Sequence, residues 1–305
     1  NFMDSDDKLS ANTMSAIFSF FSVHKGETDV VALPIVYFDG EEGEHPLNKA
    51  KFQKGSRIID LYQEYTLVHY SAASAFIDSN ALKMVRFKDG LAYAEDTNFL
   101  LHILVNKITL GVESNAAYLY RIRTTGELSA IQKSGKGKNY YLPFVYAYLD
   151  SLQYCETVCG YIPKFVQYTI LRDIHWRFRQ NLIPDGLLSD SEITEYRQCL
   201  QDILRYIDDD IIIKQGQIWP EYICYMLSQK YGCPPDLHIR TNDIVTHFNN
   251  TVLSMVSQNS CSIELLHVKN NILFIEGYMK ALGITANESL EVFLKIQDRQ
   301  ILCEP

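Results

Sequence analysis

The sequence opens with three carboxylates packed into four positions, at Asp4, Asp6 and Asp7, directly after two apolar residues. Carboxylates held this close repel one another, so a fold that keeps them together usually supplies a cation. Asp4 and Asp6 are two positions apart, and both can face a hard divalent ion such as Mg²⁺ or Mn²⁺. Such an ion keeps coordination sites for the oxygens of a diphosphate. The alternative is an acidic, solvated segment in front of a helix capped by Ser10.

The composition is that of a globular protein, with 305 residues, 47% hydrophobic and 21% charged, enough for two or more domains. The net charge of −9 argues against a nucleic-acid-binding protein, which would present a basic surface. No apolar run reaches the roughly eighteen residues that a membrane-spanning helix needs. The seven cysteines lack paired C-x-x-C spacing, so free thiols in a reducing cytoplasm are the simplest interpretation.

Helical and strand patterns alternate over the first 140 residues. Apolar periodicity predicts a helix over 12–23, with a buried stripe of Met14, Ile17, Phe18 and Phe21. A Val/Ile-rich run predicts one continuous buried strand over 29–38, and the segment 58–65 is predicted as a short helix. Two further strands are predicted at 108–112 and 117–123.

A second acidic pair, Glu95 and Asp96, begins a helical pattern. The helix dipole there favours a carboxylate in its charged form, as a general base facing a sugar hydroxyl requires. A plain helix cap is the alternative for Asp96. The small residues 71–74 include Ser74, and small side chains let the backbone approach a partner or a ligand closely. Tight internal packing is the alternative for that run.

Helices dominate after Leu142, with predicted segments at 144–158, from Pro163, from a Ser189–Glu192 capping box to the acidic triplet 208–210, and at 219–231. Basic residues of the second helix are predicted to form a solvated face, with an anionic acceptor or lipid headgroup as the alternative partner: Lys164, Arg172, Arg177 and Arg179. The basic loop Lys133–Lys138 is a candidate cover for an anionic ligand. Short β-type runs follow at 263–268, 272–278 and 290–296.

The acidic phrase Asp4-Ser5-Asp6-Asp7, the pair Glu95-Asp96 and the stretch Tyr120-Arg121-Ile122-Arg123 together resemble the family 2 glycosyltransferases of the GT-A fold. Over residues 1 to about 140 the chain is similar to bacterial enzymes that build capsule, teichoic-acid or lipopolysaccharide glycans. The resemblance implies an α/β fold: a GT-A domain portion (1–140), a helical accessory region (141–258) and a β-rich partial sandwich (259–305). In that family a nucleotide-binding half precedes the acidic phrase, so we expect such a half before Asn1.

The resemblance also implies a role for each candidate residue. Asp96 is the expected catalytic base, with Glu95 beside it, and Asp4 and Asp6 are the expected ligands of Mg²⁺ or Mn²⁺. Asp7, Arg121, Arg123 and Ser74 are expected to contact the nucleotide-sugar donor or the acceptor. Two arginines on one strand face suit phosphate or carboxylate groups, although a solvated strand edge is the alternative.

The predicted function is sugar transfer with inversion, from a nucleotide-sugar to a glycan, lipid-linked or polyol-phosphate hydroxyl. The expected location is the cytoplasm, with peripheral contact at the inner membrane face. Two other classes stay open at this point. One is a metal-dependent phosphoester hydrolase using the same carboxylates, and the other is a non-catalytic glycan-binding or scaffolding module.

Overall fold

The computed structural model describes residues 1–91, 93–123, 137–179, 183, 185–216, 218–240, 243–255, 261–270, 272–279, 293–296 and 299–302. These residues form two compact units, Asn1–Gln217 and Ile218–Pro305. The first unit mixes sheets and helices, as the predicted α/β class requires. The described helices include no candidate membrane span.

The first unit alternates short strands and helices up to residue 122 and is helical from residue 138 onwards. Its strands are β1 (Lys8–Leu9), β2 (Val30–Ala32), β3 (Ile35–Asp39), β4 (Gly43–Glu44), β5 (Arg57–Asp60), β6 (Ala75–Ile77), β7 (Thr109–Val112) and β8 (Tyr118–Ile122). Its helices are α1 (Thr13–Val23), α2 (Asn48–Phe52), α3 (Ala81–Met84), α4 (Glu95–Leu104), α5 (Leu142–Cys159), α6 (Lys164–Arg179), α7 (Asp190–Arg205) and α8 (Asp209–Lys214), with a 3₁₀ turn at Lys138–Tyr140.

The first unit contains two four-stranded sheets. Two stretches of the chain, 30–39 and 109–122, each contribute one strand to both sheets. One sheet has the order β5-β7-β2-β6 and the other β1-β8-β3-β4. In each sheet the central pair is parallel, β2 with β7 and then β3 with β8. The predicted strand over 29–38 is therefore wrong as one continuous strand, because it leaves the first sheet after Ala32 and enters the second at Ile35. Pro34 stands at the break, and proline cannot donate to a sheet ladder.

Helix α1 forms over the predicted residues but buries a different face. Thr13, Ile17 and Phe20 are buried, whereas Met14 and Phe18 are exposed, so the predicted stripe is wrong at those two positions. The core cluster beneath the helix is Ile17, Phe20, Val31, Leu33, Phe76, Ala116 and Tyr118.

The short helix predicted at 58–65 is wrong at its start, because Arg57–Asp60 is strand β5, paired antiparallel with β7. Ile59 is fully buried in that sheet. The side chain of Asp60 then accepts the backbone N–H of Tyr62 at 2.8 Å and closes a turn. Isoleucines at 58 and 59 fit a sheet better than a helix, because β-branched side chains lose rotamer freedom in helices.

The helical part follows the predicted segments closely. Gly160 ends α5 in a left-handed conformation, and the Ser189–Glu192 capping box is present at the start of α7. Two expectations fail. The acidic triplet begins α8, with Asp208 as its N-cap, and so does not simply end α7. Arg177 is buried rather than solvated, with its guanidinium stacked 3.3 Å from the Tyr140 ring centre and 3.9 Å from that of Phe144.

Some of the other predicted basic residues form ion pairs, and others lie outside the described residues. Lys164 forms an ion pair with Asp210, and Lys138, at the end of the predicted basic loop, pairs with Glu192. Residues 133–136 of that loop and the side chain of Arg179 lie outside the described residues.

The second unit begins with helix α9 (Pro220–Tyr231), which packs against β11, and continues as β-structure. Strands β9 (Asp236–Arg240), β10 (Asp243–Phe248) and β11 (Thr251–Met255) form an antiparallel sheet, within a stretch predicted as helical. The predicted β-type runs correspond to β12 (Cys261–Lys269), β13 (Ile272–Met279) and β14 (Phe293–Ile296), with β15 (Arg299–Leu302) paired to β14. Residues 290–292 lie outside the described part.

Gly111 on β7 generates a stability prediction. A Cβ at this position would lie 2.8 Å from Phe20 Cε1 and 3.0 Å from Val31 Cγ2. Gly111→Ala should therefore destabilise the protein by about 1–3 kcal/mol through overpacking, measured by urea denaturation. Gly137→Ala is the control, because its Cβ would meet nothing within 4 Å and its backbone is extended. Equal stability of the two variants would contradict close packing of α1 on β7.

Candidate active site

The acidic segment is anchored to the sheet by Asp7. Its backbone N–H donates to Asp4 O at 3.2 Å and forms a turn. Its buried carboxylate accepts the Tyr118 hydroxyl at 2.5 Å and the Arg121 backbone N–H at 2.8 Å. Burial and the Asp7 carboxylate raise the pKa of Tyr118. Both oxygens of Asp7 thus bind the protein's own β8, which corrects the expectation that this side chain faces the donor or the acceptor.

The two predicted arginines of β8 reach separate carboxylates. Arg123 Nε donates to Asp6 Oδ2 at 2.7 Å, and Arg121 Nε donates to Asp39 Oδ2 at 2.7 Å. The hydrogen bond from Arg123 lowers the pKa of Asp6. Both arginines are partly exposed. They can therefore exchange these contacts for an anionic ligand at small cost, because exposed ion pairs contribute only about 0–1 kcal/mol.

Asp4 is the carboxylate that the segment leaves uncompensated. The pKa of Asp4 is raised, first by partial burial of the carboxyl group and then by the charges of Asp7 and Asp6, while Arg123 opposes the shift. A cation near Asp4 would relieve this repulsion.

Asp96 lies in the first turn of α4, where Asp96 Oδ2 accepts the backbone N–H of Ala72 at 2.9 Å. Burial raises the pKa of Asp96 to about 6, the Ala72 hydrogen bond opposes the shift, and the charges of Glu95 and Asp4 add to it. Burial thus acts against the predicted effect of the helix terminus, and the charged form of Asp96 predominates only above about pH 6. Ala94, which precedes the acidic pair, has a left-handed backbone (φ 60°) that non-glycine residues rarely adopt.

The structure brings the two acidic segments together. Asn1 Nδ2 donates to Ala73 O at 2.7 Å and to Ala75 O at 3.0 Å, next to the Ala72 N–H that Asp96 accepts. The ring of Phe2 contacts that of Phe99 on α4, with centres 5.7 Å apart. The charge of Asp4 also contributes to the shifted pKa of Asp96. The segment that carries Asp4 therefore lies beside the segment that positions Asp96.

Ser74 does not face these segments with its side chain. It is fully buried, and its hydroxyl lies 3.4 Å from His69 Nε2. The expectation of a direct donor or acceptor contact is corrected accordingly. His69 Nδ1 in turn hydrogen-bonds Lys51 Nζ at 2.9 Å. Sequence reasoning missed Lys51 and His69, because nothing in the polar residues around Lys51 indicates a buried side chain.

The carboxylates of the acidic segment suit a divalent cation only if substrate oxygens supply its remaining ligands. Among the residues described, no group of three or more His, Cys, Asp or Glu side chains is arranged to hold a metal. Asp4, together with the second oxygen of Asp6, offers two carboxylates. Mg²⁺ is commonly bound by one or two carboxylates plus substrate phosphates, so the uncompensated charge at Asp4 fits this kind of site.

The mixed sheets and the paired acidic segments define a GT-A-like α/β domain, the fold predicted from the sequence. The fold matches the crystal structure of S. aureus TarS 1-349 in complex with UDP-GlcNAc, with a TM-score of 0.52 and 15% identity over 82% of this chain and 73% of that chain. The structure of S. aureus TarS 1-349 matches with a TM-score of 0.50 and 14% identity over 83% and 73% of the two chains. At these identities the likeness concerns the fold.

Sequence relatives point to one biosynthetic process. The chain is 30% identical over 289 residues to the minor teichoic acid biosynthesis protein GgaB of Bacillus subtilis (strain 168), covering 92% of this chain and 31% of GgaB. It is 22% identical over 311 residues to GgaA of the same organism, covering 99% of this chain and 66% of GgaA. No protein-family model matches. The predicted similarity to proteins of bacterial surface-polysaccharide synthesis is thus confirmed. The chain spans less than two thirds of the length of either relative.

The environment of Asp96 generates a prediction on stability. Because the folded-state pKa is raised from 3.8 to about 6, the folded protein binds a proton that the unfolded chain releases, so stability falls as pH rises across this window. Asp96→Asn removes the free-energy cost of burying the carboxylate charge and can keep the Ala72 hydrogen bond. The variant should therefore be more stable than the wild type at pH 8, with the gain shrinking towards pH 4, in urea denaturation.

Asp60→Asn is the matched control, because Asp60 also accepts a backbone N–H but is exposed. A gain for Asp96→Asn that is the same at pH 4 and pH 8 would contradict the burial of its charge.

Proposed function

We propose that this chain carries the acceptor-activating part of an inverting glycosyltransferase, which moves a sugar from a nucleotide-sugar to an acceptor hydroxyl in bacterial surface-polysaccharide synthesis. The observation that carries the proposal is the packing of the Asp4 segment against the segment and helix that position Asp96. The TarS structure that shares the fold contains UDP-GlcNAc. The relatives are teichoic acid biosynthesis proteins. A nucleotide-sugar donor and a glycan or polyol-phosphate acceptor follow from these two similarities.

Asp96 is the proposed general base. A base works best when its pKa lies near the operating pH, and burial brings the pKa of Asp96 to about 6. The Ala72 N–H holds one carboxylate oxygen at 2.9 Å, which leaves the other oxygen to accept the proton of the attacking hydroxyl. Glu95 contributes negative charge beside Asp96 and thereby strengthens it as a base.

Asp4 and Asp6 are the proposed holders of Mg²⁺ or Mn²⁺, which when bound would neutralise charge on the leaving diphosphate. Arg121 and Arg123 are the proposed phosphate contacts, because both are partly exposed and lie on the strand that anchors the acidic segment. Base and phosphate contacts then act on different parts of the substrates, as in-line displacement requires. A location in the cytoplasm with peripheral contact at the inner membrane face belongs to the same proposal.

Replacing the base should remove transfer without removing donor binding. Asp96→Asn should lower kcat by on the order of 10²–10⁴, because a positioned general base contributes about that much. For the wild type, kcat/KM should rise with pH through about 6 and then level off, since the base acts in its deprotonated form.

Transfer to the acceptor is measured with radiolabelled donor, and donor affinity by calorimetry. Asp89→Asn, an exposed carboxylate, is the control. Near-normal turnover of Asp96→Asn would refute the assignment, and release of phosphate without any sugar acceptor would favour a hydrolase.

The cation site is testable without turnover. Asp4→Asn should weaken Mn²⁺ binding about tenfold in the presence of a nucleoside diphosphate, because it removes one of two carboxylate ligands. Electron paramagnetic resonance of Mn²⁺ measures the free and bound ion. Glu41→Gln, an exposed carboxylate on another loop, should bind as the wild type does. Equal affinity of Asp4→Asn and the wild type would refute the proposed ligand.

A further inference from the structure

A buried hydrogen-bonded pair, Lys51 and His69, lies outside the acidic segments. Lys51 is 4% exposed and His69 is 6% exposed. Lys51 Nζ and His69 Nδ1 are 2.9 Å apart, and His69 Nε2 lies 3.4 Å from Ser74 Oγ. Both nitrogen atoms of the imidazole therefore have a polar neighbour, and the ring links α2 to the segment 71–75.

The α2 end of this link is fixed to a sheet. Asn48 lies one turn before Lys51 and is buried. Asn48 Nδ2 donates to Ile35 O at 2.7 Å, and Asn48 Oδ1 accepts the backbone N–H of Ile35 at 3.1 Å. Ile35 is the first residue of β3. The backbone that carries Lys51 is therefore held to this strand.

The other end of the link is a tight turn formed by residues 71–75. The backbone N–H of Ser74 donates to Ser71 Oγ at 3.3 Å. The backbone N–H of Ala75 donates to Ala72 O at 3.2 Å. Because these bonds fix the shape of the turn, a contact at Ser74 can set the position of the whole turn.

This turn contacts both acidic segments. The backbone N–H of Ala72 donates to Asp96 Oδ2 at 2.9 Å. Asn1, three residues before Asp4, donates through Nδ2 to Ala73 O at 2.7 Å. A displacement of the turn would therefore change the surroundings of the proposed base and of the acidic segment together.

The buried pair is suited to hydrogen bonding rather than to holding an anion. Burial lowers the pKa of Lys51 to about 7 and lowers that of His69 well below its usual value, so it favours the neutral forms. The neighbouring charges that shift the pKa of Asp96 are those of Glu95 and Asp4. Replacing Lys51 should therefore act on Asp96 through the turn and not through a lost charge.

We propose that Lys51, acting through His69, is a positioning residue that holds the 71–75 turn in place beside Asp96. The kinetic consequence rests on the proposed function, whereas the position of the turn does not. The Ala72 hydrogen bond opposes the rise in the pKa of Asp96, so loss of that bond should raise this pKa further. Breaking the Lys51–His69 pair should thus move the titration of Asp96 to higher pH.

The direct test follows the titration of Asp96 by NMR of carboxyl-labelled aspartate, with Asp96→Asn to assign the signal. Lys51→Met removes the amine, and His69→Leu removes the ring nitrogens. In both variants the ionised fraction of Asp96 at pH 6 should fall about fivefold, because one hydrogen bond to a charged group changes the ionisation equilibrium about tenfold. Lys49→Met, at an exposed lysine of α2, is the matched control and should titrate as the wild type does.

A conservative replacement distinguishes positioning from simple loss of packing. The side-chain oxygen of His69→Asn can replace Nδ1 as the partner of Lys51, so this variant should titrate closer to the wild type than His69→Leu does. Wild-type titration of Asp96 in Lys51→Met and His69→Leu would overturn the proposal, as would an equal shift in Lys49→Met. If Lys51→Met fails to fold, the two His69 variants decide, and identical titration in both would overturn the proposal.

Kinetics separate this inference from the proposed function. In the transfer assay, kcat/KM of Lys51→Met should fall about fivefold at pH 6 and less than about twofold at pH 8, where Asp96 is ionised in both proteins. A loss by the same factor at both pH values would indicate a general structural defect and would overturn the positioning role. If the wild type transferred no sugar while Lys51→Met still shifted the titration of Asp96, the positioning role would stand and the glycosyltransferase proposal would fall.

Discussion

The buried carboxylate of Asp7 fixes the geometry of the candidate site. A buried charge is tolerated only when hydrogen bonds satisfy it, and Asp7 receives one from Tyr118 and one from the backbone of Arg121. Those two residues belong to β8, which runs parallel to β3 in the sheet. The acidic segment is thereby held in one position against the fold. The Asp4 carboxyl group lies in the same segment, where partial burial and then the charges of Asp7 and Asp6 raise its pKa.

Burial and neighbouring negative charges set the pKa of the second candidate carboxylate, Asp96. Asp96 begins a helix, where the dipole alone would favour ionisation. Burial nevertheless raises the pKa of Asp96 to about 6, against the opposing effect of the Ala72 hydrogen bond. The same packing that positions the carboxylate makes it a better proton acceptor. Position and basicity therefore have a common cause in the contact between α4 and the 72–75 segment.

Much of this arrangement could be predicted from local patterns. The apolar periodicity of α5, its glycine stop, the Ser189 capping box and the two acidic phrases are all set by neighbours close in sequence. The break at Pro34 could have been predicted as well, because proline interrupts a sheet ladder, although one continuous strand was expected there. Which face of α1 is buried was not readable, since Phe18 and Phe20 are equally apolar and only the sheet beneath selects between them.

The parts that sequence reasoning missed depend on contacts between distant segments. Lys51 lies among polar residues in α2 and is buried beside His69, which comes from a later part of the chain. Arg177 likewise looks like a surface residue until Tyr140 and Phe144 enclose its guanidinium. Burial lowers the pKa of Arg177 to about 10. No periodicity signals such a position, because the pattern of a helix identifies a face and not the groups opposite it.

Helices α5 and α6 lie in the same compact unit as the acidic segments, and they complete the support beneath α4. Asn98, two residues after Asp96, donates to Ala147 O at 3.0 Å and to Ser151 Oγ at 3.0 Å, both on α5. Tyr70, beside His69, donates to Thr169 O on α6 at 3.2 Å. The helical stretch is thus no detachable appendage. Divergence among homologues should couple changes in these helices to changes around the acidic pair, and a chain shortened before α5 would lose the contacts that Asn98 and Tyr70 make with them.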